Sequence, residues 1–182
     1  MIRFFDVLGS SIGLILLSPI LLLFTMFGFL DTGLPFYMQE RVGKKRKAFK
    51  LIKFRSMKKG TPSLASHLID SSKVTSYGKI IRRLKIDELP QLINVFLGNM
   101  SLVGARPCLP NQKELIMLRD KAGIFKFRPG ITGQAQIKNI DMSNPERLVN
   151  EEIEMFKHLS TTKYFQIVLL TISGKGRGDT AS

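Results

Sequence analysis

Between Val7 and Leu30 the chain carries no charged side chain. As a helix, about 24 residues extend roughly 36 Å, enough to cross a hydrocarbon core of ~30 Å. No Ala-x-Ala-like site precedes Asp31, so a membrane element fits better than a cleaved signal peptide. A soluble core helix is disfavoured too, because the run is apolar on every side. Ser18-Pro19 divides it. Pro19 cannot donate to the Ile15 carbonyl, and its ring clashes there. Ser18 can bond back to a preceding carbonyl and enlarge the bend. Each arm then has about 11 to 14 residues, ~17–21 Å, too short to cross alone. A tilted, kinked span and a re-entrant hairpin both satisfy these lengths.

The cations that follow, from Arg41 to Lys59, mark this flank of the helix as cytoplasmic and suit acidic headgroups. The whole chain of 182 residues has a net charge of +14, so its partner is expected to be anionic. That length suits one domain plus an anchor. Cys108 is the single cysteine, which excludes an intrachain disulfide and fits a reducing compartment. His67, Cys108 and His158 lack zinc-ligand spacing. The charge alone permits nucleic acid. With no helix-turn-helix, zinc-finger or aromatic-basic pattern, nucleic acid is not expected as the partner.

After a turn at Asp31-Thr32-Gly33, residues 35–39 and 48–54 have strand character around the basic turn Gly43–Arg46, which predicts a β-hairpin. Lys53 shares a strand face with Phe49 and Leu51. Lys58 to Ser76 is rich in Gly, Pro, Ser and Thr and is expected to be a mobile lid. Lys79 to Lys85 is expected to be a short basic helix with Ile80, Ile81 and Leu84 inward. It delivers the chain to Asp87-Glu88-Leu89-Pro90-Gln91. Here Leu89, Leu92, Ile93, Phe96 and Leu97 form one apolar helical face. Pro90 fits only a first turn, which puts Asp87 at or near the N-cap. A capping Asp is one reading; a nucleophile beside a phosphate site is the other. Adjacent carboxylates point roughly 100° apart on a helix, so the pair does not flank one bond as in a glycosidase. Arg106, fixed by Pro107, can grip two phosphate oxygens or pair with Glu88. In Phe127–Gln136, two glycines and a proline impose a tight turn whose amides can approach a phosphate or a uracil. Asn144 caps a helix that starts at Pro145. Residues 164–172 form a shorter apolar helix, either interfacial or core.

The blocks Arg83–Val95, Gly98–Pro107 and Phe127–Gln136 stand in an order that resembles the bacterial sugar transferases, the monotopic phosphoglycosyl transferases. Arg3–Gly9, Leu17–Ile20, Arg41-Val42-Gly43 and Lys53–Met57 are similar to further motifs of that family. The resemblance implies a kinked re-entrant membrane helix broken at Ser18-Pro19 (residues 1–31). A compact cytoplasmic catalytic domain (32–173) and a flexible basic tail (174–182) follow. The fold class is mixed α/β, mainly helical, with interfacial helices. It implies a minimal enzyme at the cytoplasmic face of the bacterial inner membrane. The reaction moves a sugar-1-phosphate from a UDP-sugar to polyprenyl phosphate with release of UMP, the first membrane step of glycoconjugate assembly. Asp87 would be the nucleophile, and Glu88 the base or a metal ligand. Arg106, Arg128, Lys53, Arg55, Arg41, Thr132 and Gln134 would bind the nucleotide and phosphates. Mg²⁺ would be held by Asp87, Glu88 and phosphate oxygens. A homodimer is left open.

The chain departs from the family pattern at three positions. Asn99 stands where Asp usually precedes Met-Ser, and Ala105 where Pro usually precedes Arg-Pro. Tyr164 stands where an acidic residue is frequent. A non-catalytic lipid-binding scaffold is the remaining alternative; an Asp87→Asn variant with unchanged biological activity would favour it.

Overall fold

The computed structural model describes residues 1–61 and 70–176. The chain runs α1 (Ile2–Thr32), β1 (Phe36–Val42), β2 (Ala48–Phe54), α2 (Ser76–Arg83), α3 (Gln91–Phe96), β3 (Ser101–Val103), α4 (Lys113–Lys121), β4 (Gly130–Thr132), α5 (Gln134–Ile137), α6 (Pro145–Lys157) and α7 (Thr161–Ile172). It is mixed α/β, mainly helical, with two small two-stranded sheets.

α1 is long and apolar enough to cross a membrane, and only Asp6, Ser10 and Gly28 of it are buried. Residues Ile2–Thr32 form one helix with Pro19 inside it. Ser18 Oγ donates to the Ile15 carbonyl at 2.7 Å. That is the carbonyl Pro19 leaves without its amide partner, so the helix loses no bond there.

Both ends of α1 touch the same body. Near the start, Arg3 donates to the Val95 and Phe96 carbonyls at 2.6 and 2.8 Å, capping the C-terminus of α3 with a cation. Asp6 is buried, and its Oδ1 accepts from Ser101 Oγ (2.8 Å), Leu102 N (2.9 Å) and Tyr164 Oη (2.8 Å). Tyr164 therefore places a donor on the anchor's carboxylate, where an acidic side chain would repel it. Near the end of α1, the Phe24 carbonyl accepts from Tyr77 Oη at 2.7 Å. Small residues permit this docking: a Cβ on Gly9 would lie 2.9 Å from Leu102, and one on Gly28 would lie 2.9 Å from Pro35.

β1 and β2 pair antiparallel from Phe36↔Phe54 to Val42↔Ala48, so the hairpin forms as expected, with a longer first strand. α3 is shorter than its apolar pattern suggests, and it is turned over. Gln91, Asn94 and Val95 are its buried positions, while Phe96 and Leu97 are 47% and 65% exposed. Asn94 makes this possible by extending the edge of β2: Oδ1 accepts from Ile52 N at 2.9 Å and Nδ2 donates to the Lys50 carbonyl at 2.8 Å. Leu92 instead meets α1 at Gly13. In α2 only Ile81 of the three expected inward residues is buried; Ile80 and Leu84 are exposed.

The glycine-rich block at 127–136 is a strand as well as a turn. β4 runs parallel to β3, with Ser101↔Gly130 and Val103↔Thr132 as partners. A Cβ on Gly130 would sit 2.1 Å from Gly104 N. The close approach of Gly130 to Gly104 thus joins two chain segments. Around these strands sit three apolar clusters, centred on Leu115 and Leu148, on Met155 and Ile167, and on Val95 and Met100. Asn144 caps α6 through Arg147 N at 3.1 Å, as expected. α7 is partly core through Tyr164 and Ile167, and leaves Phe165, Leu169 and Ile172 exposed.

Candidate active site

The end of β2 and the turn before α3 bring the acidic pair into a cationic pocket. Asp87 is not an N-cap. It lies in a 3-10 turn, Ile86–Glu88, and Pro90 begins α3 after it. Lys85 opens that turn with a left-handed backbone, φ 58°, a conformation that costs a non-glycine residue roughly 1–2 kcal/mol. Glu88 Oε1 accepts from Lys53 Nζ at 2.8 Å and from Arg106 NH2 at 3.0 Å. All three side chains are mostly buried. Of the two sequence readings of Arg106, its pairing with Glu88 is therefore present.

Burial alone would raise both carboxylates. At Asp87 burial wins, helped by Glu88 and opposed by Lys53, Arg82 and Arg106, and the group is pushed up to about 6. At Glu88, Arg106 and Lys53 outweigh burial and hold the carboxyl well below the usual range. Environment thus separates two neighbouring acids: the cations favour the ionised form of Glu88, and burial favours the protonated form of Asp87.

Asp87 and Glu88 open onto a cavity of about 880 Å³. Arg41, Lys53, Arg55, Arg106, Thr132 and Gln134 also line it. They do different things there. Arg41 bonds Gln39 Oε1 and the Pro107 carbonyl (2.8 Å), and burial beside Arg106 lowers it to about 10. Arg55 donates to the Leu34 carbonyl at 3.1 Å and lies over the Tyr37 ring. Thr132 pairs with Thr171 through their hydroxyls at 2.7 Å, and Gln134 binds Glu151. Arg128 is not brought to this cavity: its Nε donates to the Gly98 carbonyl at 2.8 Å, at the same end of α3 that Arg3 caps. Asn99 is exposed and outside the cavity too.

Sequence reasoning passed over Arg82. It lines the cavity, its Nε donates to Ser56 Oγ at 2.9 Å, and its charge acts on both Asp87 and Glu88. The available signal was its place beside the inward Ile81 of α2. Gly78 sets that helix tightly against Ser56, where a Cβ would fall 1.9 Å from the Ser56 carbonyl oxygen. Met57, Lys58 and Thr61 form another stretch of wall, and a bridge joins Met57 to Val74. The lid expected between them falls largely on residues 62–69, outside the described residues.

Among the described residues there is no cluster of three or more His, Cys, Asp or Glu side chains. Mg²⁺ completed by substrate phosphates needs only one or two carboxylates, and Asp87 with Glu88 supply that number. Part of the lining is of another kind. Leu8, Ile12 and Leu17 of α1, with Phe165 and Val168 of α7, line the same cavity with apolar side chains.

Fold and site together define a small α/β body docked on an apolar helix, with an acidic pair held among cations where body and helix meet. A family model described as bacterial sugar transferase matches residues 1–176, and the chain belongs to that family. The sugar transferase EpsL of Bacillus subtilis, itself uncharacterised, is 37% identical over 172 residues, covering 93% of this chain and 84% of the relative. The exopolysaccharide production protein ExoY of Rhizobium meliloti is 39% identical over 155 residues, 74% of this chain and 67% of ExoY. The UDP-glucose:undecaprenyl-phosphate glucose-1-phosphate transferase of Caulobacter vibrioides is 31% identical over 180 residues, 93% of this chain and 67% of that protein.

Proposed function

We propose that this protein transfers a sugar-1-phosphate from a UDP-sugar to polyprenyl phosphate, with Asp87 as the nucleophile, at the cytoplasmic face of the bacterial inner membrane. The observation that carries the reading is an acidic pair, Asp87 and Glu88, in one cavity with Lys53, Arg82 and Arg106 and with apolar residues of α1 and α7. A diphosphate fits the cationic side and a polyprenyl chain the apolar side. That the Caulobacter relative uses undecaprenyl phosphate supports the acceptor class.

In the first step an Asp87 carboxylate oxygen bonds to the β-phosphorus. The bond from that phosphorus to the oxygen bridging to the α-phosphate breaks, and UMP leaves with the electron pair. In the second step an oxygen of polyprenyl phosphate attacks the same phosphorus and Asp87 departs as a carboxylate. Lys53, Arg82 and Arg106 neutralise the oxygens that would otherwise repel Asp87. Phosphate oxygens compete with Glu88 for Lys53 and Arg106. Freed of both, Glu88 becomes a better base and takes the remaining proton of the acceptor phosphate. Mg²⁺ held by the acidic pair and the diphosphate would offset further negative charge. Arg128, at the end of α3, supports the helix that follows the nucleophile.

One body touching both ends of α1 supports a re-entrant path. A helix crossing the bilayer would put the Arg3 and Phe24 contacts on opposite sides of it. The test is UMP release from UDP-glucose, UDP-galactose and UDP-N-acetylgalactosamine, with Mg²⁺ and undecaprenyl phosphate, in lipid particles. Release with at least one donor, lost in Asp87→Asn, is expected. No release with any donor, together with no UDP binding, would refute the assignment.

A further inference from the structure

Lys85 and Gly176 are 91 positions apart and joined: the Lys85 ammonium donates to the Gly176 carbonyl. Lys85 also opens the turn that holds Asp87 and Glu88, and its carbonyl accepts from Glu88 N at 3.4 Å. At the other partner, the chain leaves α7 through Gly174 (φ 90°), with Gly174 N bonded to the Thr171 carbonyl at 3.0 Å. It then lies against α5. A Cβ on Gly176 (φ 80°) would fall 2.8 Å from the Gln136 carbonyl oxygen and 3.1 Å from its carbon. Lys175 and Gly176 line the cavity that contains Asp87.

We propose that residues 174–176 are a strap over the cavity, latched by Lys85, and that Lys85 is a positioning residue tying strap closure to the Asp87 turn. What the strap covers, a sugar phosphate waiting on Asp87, rests on the function proposed above. Two transfers are separated by an exchange of UMP for lipid. Water reaching the acyl phosphate in that interval would release free sugar phosphate instead of product. A latch made from one ammonium and one neutral carbonyl holds the strap without the desolvation cost of a buried ion pair, so it can release on each turnover. The fit at Gly176 explains why the strap needs a residue without a side chain there.

The test uses the full chain in lipid particles. A lysine-specific protease reads the strap as scission after Lys175, relative to scission after the exposed Lys45 of the hairpin turn. Lys85→Met is expected to raise that ratio several-fold, and Lys85→Arg to restore it. Gly176→Val, acting from the strap side alone, should raise it also, and it decides the matter if Lys85→Met cleaves faster at every lysine through unfolding. In turnover with acceptor present, free sugar phosphate relative to lipid product should rise several-fold in the same variants. An unchanged scission ratio in both Lys85→Met and Gly176→Val would overturn the strap, whatever the enzyme's reaction. A raised scission ratio with unchanged partition to water would overturn the shielding role. Lack of UMP release by the unaltered protein would count against the reaction itself, and the scission ratio would still decide the strap.

Discussion

One oxygen of Glu88 is shared by Lys53 and Arg106, at 2.8 and 3.0 Å. The two cations paired with Glu88 are thus held by an anion that is not the proposed nucleophile. Lys53→Met and Arg106→Met should each lower kcat/KM for UMP release by about 10²–10³-fold, the usual cost of losing one charge-stabilising donor. The double variant should lose less than the product of the two, because both act through the same Glu88 and the same phosphate oxygens. Strict multiplicativity would mean that the cations work independently.

The pH profile should carry the mark of Asp87. Its carboxyl is pushed up to about 6, so kcat/KM should rise with pH through about 6 as the nucleophile ionises. Lys53 is the strongest of the groups opposing that rise. Lys53→Met should therefore move the limb upward. A limb near 4 in both proteins would show that Asp87 is not the titrating group.

Stability should respond in the opposite sense to activity. Between its ordinary value of 3.8 and about 6, folded Asp87 keeps a proton that the unfolded chain has lost. Stability therefore falls as pH rises across this window, and the deficit persists above it, up to about 3 kcal/mol. Asp87→Asn removes the deficit. Its melting temperature should exceed the unaltered protein's at pH 7 by a few °C, with the gain shrinking towards pH 4.

Much of the site was legible and part of the fold was not. Asp87, Glu88, Lys53 and Arg106 came from the motifs, and Lys53 and Arg106 both reach Glu88 from 35 and 18 positions away, a meeting that local pattern does not encode. Arg82 lines the cavity and Arg128 does not. Arg128 ends on the Gly98 carbonyl, and Arg82 reaches Ser56 where Gly78 sets α2 tightly against that residue. The inversion of α3 was hidden for a similar reason. Its apolar stripe follows the helical period, but α1 takes up Leu92, and Asn94 finds partners in the β2 backbone that no periodicity reveals. β3 and β4 are three residues each and pair across 26 intervening positions (104–129), beyond the reach of local pattern.

The carboxylate of Asp6 should be the main tie between anchor and body. Tyr164→Phe removes one of its three donors and should cost about 1 kcal/mol. Asp6→Ala leaves Ser101, Leu102 N and Tyr164 without their acceptor, and should cost several times more. Thermal melting in detergent checks the order. Equal effects of the two variants would indicate that Asp6 holds only the tyrosine.

The most direct measurement is mass spectrometry of rapidly quenched protein mixed with its UDP-sugar and no acceptor lipid. A mass gain of one sugar phosphate on the peptide bearing Asp87 is expected, with UMP released in equal amount. The adduct should disappear when polyprenyl phosphate is added. Full turnover with no adduct at any quench time, retained in Asp87→Asn, would contradict nucleophilic catalysis by Asp87.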